Sequence, residues 1–165
     1  RVDLAEDTGW VHPIIDGGEL TDYDCESLVI RPESKWWAFS QSMHRFAAEQ
    51  AWGKSLPGIQ AIGGCGDTLA SLRSTNLLLT DVMDCPDRVR EFEMYLMGQW
   101  IEVFEALYGI IREAAQGCTC WFPLWAPGKF YAAQNDFSYM ISPRMFEDIF
   151  LPALALQIEY LDYSV

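Results

Sequence analysis

The chain has 165 residues, half of them hydrophobic, and a formal charge of 11 − 24 = −13. Its 9 + 7 + 7 = 23 Phe, Trp and Tyr residues exclude an intrinsically disordered chain and suffice for a sizeable core in one domain. No stretch concentrates the eleven Lys and Arg, which argues against nucleic acid and anionic membrane surfaces as partners; no apolar run reaches the roughly 20 residues of a membrane-spanning helix, so a soluble protein is expected.

The sequence opens Arg1-Val2-Asp3-Leu4 with no initiating Met, leader or tag, and a fragment is expected. Residues 1–33 are acidic and broken by Pro13 and Gly17-Gly18; they read as loop with a short strand at Ser27 to Ile30. In residues 34–52, Trp37, Phe39, Met43, Phe46 and Ala47 permit a helix, with a short strand at Trp36 to Phe39 as the alternative opening. Ile59 to Ile62 reads as a short buried strand closing in the turn Gly63-Gly64-Cys65-Gly66, with Asp67 as N-cap of a helix that begins at Thr68.

The strongest period runs from Pro86 to Gln116. Val89, Phe92, Leu96, Trp100, Val103, Phe104, Leu107, Ile110, Ile111 and Ala114 recur three or four apart or as pairs, while Arg88, Glu91, Glu102, Glu105, Arg112 and Glu113 fill much of the rest. Pro86 suits the first helical position, Asp87 the positive helix end, and Gly117 the stop. Beyond it, CTCWFPL and KFYAAQNDF read as strands joined by a turn at Ala126-Pro127-Gly128. Ser142-Pro143 then opens a helix through Phe146, Ile149 and Phe150, and Pro152 predicts a kink or a new helix continued by Leu154, Ile158 and Leu161. Strands alternating with helices predict an α/β fold with parallel pairing. At this length a partial (β/α)8 TIM barrel, one incomplete domain over residues 1–165, follows.

In such folds function gathers beyond the carboxyl ends of parallel strands. Two loops qualify there, Gly63 to Asp67 and Gln134 to Ser138. Asp136 is the candidate catalytic residue, because a partly desolvated carboxylate among amides and aromatics can orient or protonate a substrate; its plain alternative is a turn cap. Gln134, Asn135, Ser138, Gly63 and Asp67 are the candidate substrate-binding residues. The glycine loop lacks the GK[ST] of a phosphate loop and the GxGxxG of dinucleotide binders, and no GxSxG elbow is present. His12 and His44 read as surface or packing residues. Cys25, Cys65, Cys85, Cys118 and Cys120 form no CxxC pair, so free thiols in a reducing cytoplasm are expected, with no metal site. An aromatic-lined mouth would suit a flat organic ligand.

The run DTLASLRSTNLLLTDVMDCPDRVREF, the long helix, and NDFSYMISPRMFEDIFLPALALQIEYL together resemble the middle of the uroporphyrinogen decarboxylase family, which includes corrinoid methyltransferase relatives. The stretch Ile141 to Pro152 is the most specific, and the likeness covers about two-thirds of the chain, from Asp67 onward. It implies a (β/α)8 barrel with Pro143, Phe146 and Pro152 in the helix after a barrel strand, and Asp136 facing the cleft. It also implies a lyase acting on a tetrapyrrole or related small molecule with no cofactor, since a protonated pyrrole is its own electron sink. The family's N-terminal Arg-rich motif and its Phe-Ser-Asp motif are missing here, and only Arg73, Lys129 and Arg144 lie near the two loops to receive substrate carboxylates. The methyltransferase alternative would need zinc and a corrinoid, with His and Cys ligands beyond Val165. A third expectation is a non-catalytic piece or binding module: an open-edged half barrel would be inactive alone and prone to form homo-oligomers.

Overall fold

The computed structural model describes residues 2–4 and 9–165. The predicted amphipathic run forms one helix, α4, over Pro86–Ala115, preceded by β1 (Val2–Leu4), β2 (Gly9–Val11), α1 (Lys35–Ala51), α2 (Asp67–Arg73) and α3 (Thr75–Asp84). After it come β3 (Cys118–Thr119), β4 (Trp125–Ala126), β5 (Phe130–Tyr131), the single turn α5 (Pro143–Met145), α6 (Leu151–Tyr160) and β6 (Tyr163–Ser164). The fold is mixed α/β, rich in helix, with three two-stranded sheets and no closed barrel among the described residues. No helix there is long and apolar enough to cross a membrane.

The chain divides into two compact units. The first contains residues up to Leu28, Gly63–Met97 and Gln134–Leu154. Leu69, Leu78, Val89, Phe92, Phe137 and Phe150 are among its fully buried side chains, and the Phe137 and Phe150 rings meet at 5.5 Å. Arg73 pins the N-terminal segment to it: the buried guanidinium pairs with Asp81 at 2.7 Å and donates to the carbonyls of Ile15, Gly17 and Gly18.

The second unit contains Val29–Ile62, Gly98–Ala133 and Ala155–Val165. Trp100 and Phe104 of α4 stack at 5.2 Å, and Tyr131 stands edge-on to both. β5 and β6 pair in parallel, with Phe130 opposite Tyr163, and Ala133 N–H extends the ladder to the carbonyl of Val165 at 3.0 Å. A second parallel contact is the single bridge of Ile59 with Cys120, whereas β3 and β4 are antiparallel.

Several expected elements differ, each for a local reason. Ser27 to Ile30 is not a strand. Asp24 instead accepts from Glu26 N–H at 3.0 Å and Ser27 Oγ bonds back to the Asp24 carbonyl at 2.6 Å, closing a 3-10 turn at Cys25–Ser27. Trp36 to Phe39 lies within α1. Ile59 to Ile62 makes only the one bridge, and of its residues only Ile59 is buried. The CTCWFPL strand is shorter than expected: β3 ends at Thr119, Pro123 has no N–H for a ladder, and Leu124 N–H turns onto the Phe122 carbonyl at 2.8 Å where the chain reverses into antiparallel β4. A further bend at Pro127-Gly128, within the expected turn, then leads to β5. α4 stops one residue before the predicted glycine, at Gln116 in the left-handed region (φ 50°).

Candidate functional site

The first unit brings the two predicted loops together through Asp67. Its Oδ1 accepts from Phe137 N–H at 2.9 Å, and its Oδ2 accepts from Asp136 N–H at 3.1 Å and from Gln134 Nε2 at 3.3 Å. Asp67 is therefore not the N-cap of α2. It is the first helical residue, Gly66 is the cap, and the carboxylate holds the 3-10 turn Asp136–Met140 of the other loop. Asn135 caps that turn, accepting from Ser138 N–H at 3.1 Å, while Ser138 Oγ donates to the Asn135 carbonyl at 2.7 Å.

Glycine is required on the facing loop. A Cβ on Gly64 would stand 2.7 Å from the Gln134 carbonyl oxygen, and one on Gly66, where φ is +74°, would strike the Asn135 amide. Of the candidate binding residues, Gln134, Asn135, Ser138 and Asp67 thus bond to one another or to the two loops' backbone, and Gly63 (φ +78°) faces Thr68 Oγ1 in the same turn. They build the site.

Asp136 is different. Its N–H is used and its side chain is exposed, so the partial desolvation expected of it is absent. It stands on the rim of an open cavity of about 550 Å³ that Asp67, Ser71, Ser74, Thr75, Phe137 and Met140 also line. Two carboxylates, one of them already engaged in the clamp, and three hydroxyls are among the lining, with no cation in it among the described residues.

The three cations expected nearby are engaged. Arg73 is consumed in the buried pair with Asp81. Arg144 is exposed and lies 3.5 Å from Asp148. In the second unit, Lys129 bonds to Glu105 and Tyr160, and these bonds hold the Glu105 carboxyl below its ordinary range.

Behind the glycine loop lies a carboxylate that the sequence reading missed. Glu93 of α4 is 2% exposed; its Oε2 accepts from Gly66 N–H at 3.0 Å and from the Cys65 thiol at 3.2 Å, while Oε1 has no partner. Burial, with a smaller contribution from Asp67, pushes Glu93 up to about 7. Burial, then the charge and hydrogen bond of Glu93, push the Cys65 thiol far above its usual range, so it is no nucleophile. The signal was present: Val89, Glu93, Met97, Trp100, Phe104 and Leu107 form one buried helical stripe, and Glu93 is the only carboxylate on it.

His44 is a packing residue as expected, buried, with Nδ1 2.8 Å from the Ser40 carbonyl. All five cysteines are free. No group of three or more His, Cys, Asp or Glu side chains among the described residues is placed to hold a metal ion. Comparison with protein-family models, curated proteins and solved structures gives no match to this chain.

Proposed function

We propose that the chain supplies a sector of a (β/α)8 barrel enzyme similar to the uroporphyrinogen decarboxylase family, with the two joined loops forming part of its cleft. One observation carries this reading. The loop from Gln134 to Ser138 leaves the carboxyl end of β5, whose parallel partner β6 is reached through a helical crossover, and Asp67 ties that loop to the glycine turn. Loops in that position line the ligand cleft of parallel α/β folds. Asp136, exposed on the rim of the open cavity, would take N–H groups of a tetrapyrrole or related ring. In the reaction, protonation of the pyrrole at a ring carbon makes the ring an electron sink, and the C–CO2 bond breaks with release of CO2 as its electron pair enters the ring. A second proton then adds to the side-chain CH2 to give CH3 as the ring carbon gives up the first. A carboxylate beside the ring nitrogens stabilises the cation. No cofactor takes part, and five free thiols suit the reducing cytoplasm.

A sector of a barrel need not turn over, so the test reads binding. Titration of the chain with uroporphyrin, followed by quenching of tryptophan fluorescence, should give saturable binding that Asp136→Asn weakens about tenfold, the loss of one charge-assisted hydrogen bond. No saturable binding, or equal affinity in the variant, would count against the reading.

A further inference from the structure

The helix α1 buries the wrong face for an ordinary amphipathic helix. Its buried positions are His44, Ala48 and Ala51, whereas Trp36, Phe39, Met43 and Phe46 are 70%, 57%, 49% and 58% exposed. At about 100° per residue these four fall within roughly 80° of arc, on a stripe about 15 Å long. A helix that buries alanines while leaving three aromatic rings in water has an apolar surface made to be covered.

We propose that this stripe is the two-fold interface of a homodimer, with α1 of one copy lying antiparallel on α1 of a second. The spacing is self-complementary. Trp36 and Phe46 stand five residues either side of position 41, and Phe39 and Met43 two residues either side. An axis at that level therefore sets Trp36 of one copy against Phe46 of the other, and Phe39 against Met43, as an isologous contact requires.

Charge agrees with the pairing. Lys35 sits at the stripe's edge with Nζ 5.4 Å from the centre of the Trp36 ring. Glu49 flanks the same side of the helix, and in the antiparallel arrangement Lys35 comes within about half a turn of Glu49 of the second copy, twice over. Arg45 is turned along its own helix onto Gln41 at 2.9 Å, leaving the seam apolar. Aromatic side chains bury roughly 150–250 Å² each when wholly covered; the part still exposed on these three rings and Met43 amounts to roughly 500 Å² per copy, about 1,000 Å² in all, which is the size of a small, reversible interface. The inference is independent of any ligand at the loop site.

Sedimentation equilibrium of the whole chain tests it. The wild type should show twice the mass of one chain, and Phe39→Glu should give a monomer with unchanged helical circular dichroism. Lys35→Glu should weaken association about tenfold, and adding Glu49→Lys to it should restore the dimer, because the reversed charges meet again across the axis. A wild-type monomer overturns the proposal and means that something other than a second copy covers the stripe. A dimer indifferent to Phe39→Glu and to both charge variants also overturns it, placing the contact elsewhere, such as a sheet edge.

Discussion

Glu93 is a carboxyl whose ionisation the fold resists within the physiological pH range. Its carboxyl rises from 4.5 to about 7 because burial disfavours the charge more than the Gly66 and Cys65 hydrogen bonds favour it. Folding therefore takes up a proton between those two values. The stability tied to neutral Glu93 is complete below about pH 4.5 and is lost as pH rises through about 7, at a cost of about 3 kcal/mol. Glu93→Gln keeps an oxygen for Gly66 and Cys65 and carries no charge. Denaturant melts from pH 4.5 to 8 should show the variant gaining on the wild type by about that amount and then levelling off. A difference independent of pH would mean that Glu93 is not the titrating group. The sequence held this residue in plain view, but a carboxylate on a stripe of Val, Met, Trp and Phe is visible only when every fourth residue is asked what it buries.

Among the elements, the joined loops depend on one side chain. Asp67 is the acceptor for both Asp136 N–H and Phe137 N–H, and removing it leaves two donors at the start of a 3-10 turn. Asp67→Ala should cost about 1–3 kcal/mol and speed amide exchange at Asp136 and Phe137 about tenfold or more. Asp136→Ala, whose side chain takes no part in the clamp, should leave those amides unchanged. Equal exchange in wild type and Asp67→Ala would show that the turn holds itself. Elements ruled by near neighbours were legible from the letters. The period of α4 is local, and Ser142 accepts from Met145 N–H at 3.2 Å as a cap before Pro143 should. Pro152 predicted a break, and the chain makes a π-turn at Phe146–Phe150 before α6; the Asp148 carbonyl, with no Pro152 N–H to accept, takes Arg90 Nη1 at 3.4 Å. The clamp itself was not legible, because nothing in the sequence around Asp67 announces a partner nearly seventy residues away.

At the scale of the molecule, a charge of −13 on 165 residues works against the folded state. Raising ionic strength from about 0.01 to 0.15 M shortens the screening length from about 30 Å to 8 Å, so the thermal midpoint should rise with added NaCl. MgCl2 at equal ionic strength should act alike; a larger effect from Mg²⁺ would indicate cation binding instead of screening. The alternation of strand and helix gave the mixed α/β class, yet the strands are two or three residues long and are defined by partners far along the chain, which composition cannot name. That separation has a kinetic consequence. The turns of α1 and α4 close among neighbours within about a microsecond, whereas the ladder that joins Phe130 to Tyr163 must wait for everything between them to collapse. Refolding should therefore be two-paced, with helical signal recovered early and protection of the Ala133 amide acquired last.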